Sequence, residues 1–260
     1  MKLLVAIKHV PDTEARVRVA ADGVSLEENG VKFVISPYDE FALEEALRIR
    51  EARGGEVVLV CAGPEGAAST LRQGLAMGAD RAVHVCDDGF DRADALARAR
   101  VLAAVARAES PELILAGKYG VGSDENQTGP MLAELLDLPH AAAVSKLELG
   151  EGRFTAHHEI EGAVAVMEGS LPALITCEKG LNEPRYASLK GIMAAKKKTI
   201  EVRSLAELGV DPAELREGSR VVWESMELPP ARSAGRVLDG DPARAARELA
   251  RLLREEARVI

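Results

Sequence analysis

Val57-Val58-Leu59-Val60-Cys61, then Glu65–Met77, then Ala82-Val83-His84-Val85-Cys86, then Asp91–Ala108, then Leu113-Ile114-Leu115-Ala116: this alternation decides the fold. The short runs are apolar on both faces and rich in β-branched residues or leucine, as strands buried inside a parallel sheet must be. The longer stretches between them place apolar residues at helical spacing, with Leu96, Ala99, Leu102 and Ala103 sharing one face. Upstream, Leu3–Ile7 is another such run, and Glu40–Arg53 another amphipathic stretch with Leu43, Ala46, Leu47 and Arg50 on one side. Asp124–Leu136 follows Leu113–Ala116 as a further helix. Strands alternating with helices of this length predict an α/β fold, an open and mostly parallel sheet with helices on both faces, of the Rossmann-like kind.

Past residue 136 the character changes. Val144–Leu149 and Arg153–Glu159 flank Gly150-Glu151-Gly152 and predict a hairpin, with Ala163–Met167 and Ala173–Cys177 as further strands of an antiparallel extension. Leu181–Met193 has no sustained periodicity. Residues 200–240 hold too few apolar side chains to close a core and are predicted to be an arm that packs on another subunit. A final helix is expected near Asp241–Ala257, because Asp241-Pro242 supplies an N-cap followed by proline at the first helical position. The chain therefore divides into an α/β domain, residues 1–199, and a C-terminal arm and helix, residues 200–260.

Of 260 residues, 47% are apolar and 29% charged, and the formal net charge is −9. That balance argues against nucleic acid or a membrane surface as partner. No apolar run approaches the roughly 18–20 residues of a membrane span, so no membrane insertion is expected. Met1–Lys8 carries charge too soon for a secretory signal and is predicted to be the first strand. Cys61, Cys86 and Cys177 lack metal-ligand spacing and fit reduced, buried thiols of a cytoplasmic protein. His157-His158 would point to opposite faces of a strand, so no shared metal is expected there. A phosphate loop of the Gly-x-x-x-x-Gly-Lys type, a Gly-x-Gly-x-x-Gly turn and a Gly-x-Ser-x-Gly elbow are all missing from the sequence. No catalytic residues are assigned.

The positive signal follows Leu113–Ala116. Gly117-Lys118-Tyr119-Gly120-Val121-Gly122-Ser123-Asp124-Glu125-Asn126-Gln127-Thr128-Gly129-Pro130-Met131 places glycines where a backbone must turn tightly, just before a helix whose first N–H groups suit a phosphate. A plain strand-to-helix turn with Ser123 or Asp124 as cap is the alternative. The carboxyl end of a parallel strand is where open α/β sheets bind ligands. Neighbouring strand ends would supply Ala6, Ser36-Pro37-Tyr38-Asp39 and Cys61-Ala62-Gly63-Pro64 to the same crevice, although Ser36 and Asp39 could equally be helix caps.

Asn126-Gln127-Thr128-Gly129 after this loop resembles the adenylate-phosphate loop of the electron-transfer flavoprotein β (small) subunit. So does Leu181-Asn182-Glu183-Pro184-Arg185-Tyr186-Ala187-Ser188-Leu189, followed by Ile192-Met193 and Lys196–Lys198, and Leu75–Ala82 is a third similar segment in the same order. The resemblance implies a heterodimer with an α subunit that holds most of the FAD, and a β subunit that binds AMP as a scaffold ligand. Carried over by position, the AMP contacts would be Ala6, Ser36, Pro37, Tyr38, Asp39, Cys61 and Gly120–Met131 (Gly120, Val121, Gly122, Ser123, Asp124, Glu125, Asn126, Gln127, Thr128, Gly129, Pro130, Met131). Relatives are often more acidic at Gly122-Ser123 and often carry asparagine at Ser36. Val10-Pro11-Asp12-Thr13 would approach the flavin, with Thr13 packing rather than stacking on it. Leu189, with Tyr186, Ile192 and Met193, would dock partners, steered by Lys190 and Lys196–Lys198; read without the resemblance, Leu189 would instead begin a core helix and the lysines form a solvated face. The implied role is an electron carrier, not an enzyme, between acyl-CoA or other flavin dehydrogenases and a quinone reductase or other acceptor. Two alternatives stay open: a universal stress protein-like regulatory module, and a bifurcating family member with a second FAD in the AMP crevice.

Overall fold

The computed structural model describes residues 1–231 and 234–260; residues 232 and 233 of the C-terminal arm lie outside the described part. The strands are β1 (Lys2–Ala6), β2 (His9–Pro11), β3 (Phe33–Ile35), β4 (Glu56–Gly63), β5 (Arg81–Cys86), β6 (Leu113–Gly117), β7 (His140–Leu149), β8 (Arg153–Ile160), β9 (Ala163–Ser170), β10 (Ala173–Cys177) and β11 (Ile200–Arg203). The helices are α1 (Pro37–Arg53), α2 (Ala67–Met77), α3 (Ala95–Glu109), α4 (Thr128–Leu136), α5 (Leu189–Ala195), α6 (Pro212–Arg216) and α7 (Pro242–Glu255), with a 3-10 turn at Asp88–Arg92.

Nine strands form one sheet in the order β11-β5-β4-β1-β6-β10-β7-β8-β9. All neighbours from β11 through β7 pair in parallel, and β8 and β9 continue antiparallel. The expected parallel core with an antiparallel extension is present, with one refinement. β10 returns to lie in parallel between β6 and β7, so the hairpin β7–β8 reaches the core only through a later strand.

Period-two alternation sorts the core into two layers. Leu3, Val5, Val57, Leu59, Cys61, Leu113 and Leu115 pack toward α1 and α2. Leu4, Ala6, Val58, Val60, Val83, Val85 and Ile114 pack toward α3 and α4. Gly74 in α2 leaves room for Leu59 and Leu43, because a Cβ there would meet a Leu59 methyl at 2.5 Å.

Several boundaries differ from the sequence reading for identifiable reasons. Pro37 opens α1 earlier than Glu40, its fixed φ being suited to a first helical position. The stretch expected as one helix from Asp91 breaks at Ala93 and Asp94, where the Asp94 carboxylate accepts the Ala97 N–H at 2.8 Å and starts α3 afresh. The helix expected from Asp124 starts at Thr128, because Asp124 and Asn126 hold positive φ (48° and 52°). The segment without sustained periodicity contains α5, capped by Ser188 through the Gly191 N–H.

The described chain forms two compact units, Met1–Met226 and Glu227–Ile260. Within the first, β11 extends the sheet beside β5, and Leu205 and Leu215 are buried. Within the second, Asp241 caps α7 by accepting the Arg244 N–H at 3.0 Å, as expected, and no α7 side chain is buried in this chain.

Candidate functional site

The chain leaves β1, moves outward through β4 and β5, and returns to β6 on the other side of β1. The strand order therefore reverses between β1 and β6, and their carboxyl ends diverge around a cleft. The cleft floor is small: Ala6, Ala62, Gly63 and Ala116. Its walls are Ile7, Lys8 and His9 after β1, Lys118–Gly120 after β6, Phe90, Arg98 and Leu102 from the α3 side, and Ser123 with Glu125–Gly129 leading into α4.

One buried carboxylate ties the two diverging ends together. Asp39, in the first turn of α1, accepts the Lys8 N–H at 2.7 Å and the Gly117 N–H at 2.8 Å. Burial pushes its carboxyl up to about 7, against the pull of those two donors. Asp39 therefore acts as a latch between strand ends and not as a helix cap. Gly117 is required beneath it, since a Cβ there would stand 2.5 Å from Asp39 Oδ1. Ser36, fully buried, makes no cap bond either; its hydroxyl accepts the Val121 N–H at 3.3 Å and so anchors the glycine loop.

The loop itself is shaped by positive φ at Gly122, Asp124 and Asn126. Gly120 is bare because the aliphatic chain of Lys8 occupies the place of a side chain there. Lys8 Nζ then donates to Ser123 Oγ at 2.8 Å. Burial, followed by the nearby Arg98 charge, lowers the Lys8 ammonium to about 8. At α4 the first N–H groups lack intrahelical partners by geometry, Pro130 offers none, and Gly129 sits so close to Thr176 that any side chain would collide.

Of the residues read from sequence, Ala6, Asp39, Gly120, Ser123, Glu125, Asn126, Gln127, Thr128 and Gly129 line the cleft. Ser36 and Val121 support the loop through their mutual hydrogen bond, Pro37, Gly122 and Asp124 do not line the cleft, and Pro130 and Met131 continue into α4, where Met131 packs on the core. The Cys61 side chain is fully buried in the opposite layer, with its thiol pushed up to about 12 by burial, so the cleft is met there by Ala62 and Gly63 instead. Tyr38 sits to one side, its ring centroid 4.6 Å from that of Tyr119 and its hydroxyl 3.2 Å from the other. Lys118 Nζ lies 4.8 Å and 5.0 Å from the two ring centroids and pairs with Glu178 at 2.5 Å. Sequence reading did not single out Lys8, His9, Arg98, Lys118 or Tyr119. Lys8 carries the clearest missed signal, a charge immediately after a buried strand.

The second candidate region, 181–193, is held at its base and bare at its tip. Asn182 donates to the Phe41 carbonyl and to Glu45, each at 3.0 Å. Arg185 forks onto Glu44 (2.8 Å) and Glu51 (2.5 Å). Burial alone would raise Glu44, but the Arg185 bonds win and hold it below the usual carboxylate range. Beyond this clamp Tyr186 is 98% exposed and Leu189 84%, with Ile192 and Met193 also exposed. Beneath α5, Gly191 lets the helix rest on the Ala76 carbonyl, and Arg72 ties down the Ala195 and Lys198 carbonyls.

A sequence model described as the electron transfer flavoprotein domain matches residues 23–208. The electron transfer flavoprotein subunit beta of Bacillus subtilis is 39% identical over 261 residues, covering 100% of both chains. The chain belongs to the electron transfer flavoprotein β-subunit family. The corresponding subunit of Bradyrhizobium diazoefficiens is 46% identical over 81% of this chain and 84% of that one, and the human one 41% identical over 90% and 91%. Agreement along the whole chain favours the flavoprotein resemblance over a universal stress protein. The cleft and the 181–193 platform are thus features of an electron transfer flavoprotein β-type chain, and electron transfer is the role its family name carries. No helix among the described residues is long and apolar enough to cross a membrane.

Proposed function

We propose that this chain is the β subunit of a heterodimeric electron carrier. It binds AMP in the β1/β6 cleft as a scaffold ligand, completes the enclosure of an FAD held mainly by an α subunit, and docks acyl-CoA or other flavin dehydrogenases for onward transfer to a quinone reductase or other acceptor. It performs no substrate chemistry of its own. When bound, FAD supplies the redox chemistry. This chain's contributions are to position and to recognise.

The observation that carries the docking role is the contrast within residues 181–193. Asn182 and Arg185 spend buried and charged contacts to fix a segment whose tip then leaves Leu189 and Tyr186 in water. A rigid segment that exposes large apolar side chains is what a recognition anchor requires. The three free thiols, two of them fully buried, suit the reducing cytoplasmic setting proposed for it. The cleft suits an adenylate: Ala6, Ala62 and Gly63 leave space for a flat ring, while Lys8, Arg98 and the α4 N-terminus suit a phosphate. Of the segment proposed to near the flavin, Val10 is buried, leaving Pro11–Thr13 to face outward. The α7 helix and those parts of residues 200–260 that do not pack on this chain's own sheet are proposed to pack on the α subunit.

The test is Leu189→Ala in the co-expressed heterodimer. Electron transfer from a donor dehydrogenase should slow by about tenfold or more, as expected for loss of a hot-spot side chain, while flavin content and absorption spectrum stay unchanged. Unaltered transfer rates, or loss of flavin, would remove Leu189 as the anchor.

A further inference from the structure

Oxidants reach a protein first through its sulfur atoms, and in this chain those atoms are unevenly placed. There are six methionines and three cysteines. Met1, Met77 and Met167 pack on one core layer, Met131 packs on the other, and Met226 is half-buried. All six lie among the described residues, and Met193 alone is exposed, at 61%. The cysteines offer no easier target. Peroxides attack a thiolate, and burial raises all three thiols, helped at Cys86 by the charges of Asp88, Glu65 and Asp87. Cys61 and Cys177 are also fully buried.

The geometry of α5 holds Met193 outward. Gly191 and Ala195, four positions apart, form its inner face, where Gly191 rests on the Ala76 carbonyl and Ala195 is buried. Leu189 and Met193, also four apart, therefore share the opposite face, with Ile192 beside them. The Ser188 cap and the bonds from Arg72 to the Ala195 and Lys198 carbonyls fix the helix in that orientation.

We propose that Met193 is a site of reversible oxidation, at which a hydroperoxide switches partner docking off by converting the thioether to a sulfoxide. This rests on the docking role proposed for residues 181–193, and adds the chemistry that regulates it. The sulfur lone pair attacks one peroxide oxygen, so that a sulfur–oxygen bond forms and the oxygen–oxygen bond breaks. Sulfur gives up two electrons, and hydrogen peroxide accepts them and leaves as water. A thiol-dependent sulfoxide reductase reverses the change, its dithiol becoming a disulfide as the oxygen departs in water. The sulfoxide sets a strong hydrogen-bond acceptor beside Leu189 on a face that must shed its water to dock, and an acceptor buried there without a donor opposes docking.

The test treats the co-expressed heterodimer with graded hydrogen peroxide, maps oxygen uptake by peptide mass spectrometry, and follows electron transfer from a donor dehydrogenase at sub-saturating concentration. Met193 should gain one oxygen about tenfold faster than any other methionine. Transfer should fall in step with that gain, by about fivefold or more at completion, with flavin content unchanged. Methionine sulfoxide reductase with dithiothreitol should restore it. Met193→Leu, measured against its own untreated rate, should lose nothing on oxidation; recovery under the reductase decides the matter should that variant fail to fold. Prior oxidation of another methionine, equal slowing of Met193→Leu, loss of flavin, or reversion of Met193 without recovery of transfer would each overturn the switch. Full oxidation of Met193 with transfer unchanged, while Leu189→Ala slows it, would overturn the switch and leave the docking reading standing. Transfer that ignores both changes would overturn the two together.

Discussion

Asp39 performs two tasks that pull against each other. Accepting two backbone N–H groups requires both carboxylate oxygens as acceptors, yet full burial penalises the charge that makes them so. The native group ionises near 7, against about 3.8 for an exposed one. Between those values the folded chain binds a proton that the unfolded chain does not, so this residue's contribution to stability declines as pH rises from about 4 to about 7 and is level above. Comparing urea unfolding of the native chain with Asp39→Asn across that range isolates the effect, because all other titrating groups cancel. Equal slopes in the two proteins would show that Asp39 does not titrate there. The neighbouring position gives a second expectation. Gly117→Ala forces a methyl to 2.5 Å from the Asp39 carboxylate and 2.7 Å from the Tyr38 backbone, and should cost about 1–3 kcal/mol of unfolding free energy. None of this was visible in the sequence. Asp39 reads there as a crevice residue or equally a cap, because its true partners, Lys8 and Gly117, lie in two other segments of the chain.

At the scale of elements, the clamp between α1 and residues 182–185 decides how firmly the proposed docking tip is presented. Arg185→Ala leaves Glu44, only 3% exposed, without its main partner. Arg185 itself is a third exposed, so screening limits the loss to about 1–2 kcal/mol. Glu44 is held below its usual range, so this stability is present above about 4.5 and disappears as pH falls below it. Chemical denaturation of the variant at neutral and at mildly acidic pH should show the difference from the native chain shrinking in acid. The elements that sequence revealed best were those buried on both faces: β1, β4, β5, β6 and β10, whose central runs are mostly apolar. Those it hid are short or half-wet. β2 and β3 have three residues each, and β11 (Ile-Glu-Val-Arg) exposes Glu201 and Val202, so its place in the sheet comes from pairing with β5 and not from any run of its own. The cleft was legible as a place, because the glycine loop follows a buried strand. Its charges were not, since Lys8 and Arg98 stand ninety positions apart and meet only through topology.

On the scale of the molecule, the unit Met1–Met226 contains both core layers, and Glu227–Ile260 contributes no α7 side chain to a core of this chain. Truncation after Met226 should therefore leave a cooperative unfolding transition with unchanged circular dichroism for the sheet, while assembly with the α subunit weakens. A truncated chain that no longer unfolds cooperatively would show that the arm belongs to the fold. The strand order has a further consequence, for biosynthesis. β6 is complete at Gly117, but the strand that covers its outer edge, β10, begins only at Ala173, after the whole β7–β8–β9 meander. At about 5–20 residues per second, the nascent chain trails a bare, fully apolar strand edge for several seconds behind the ribosome. Chains stalled before Ala173 should stay sensitive to protease and bind holdase chaperones, and chains stalled once Cys177 has cleared the exit tunnel should not. The last parallel strand thus works as a slow zip that is drawn shut only when two-thirds of the message has been read.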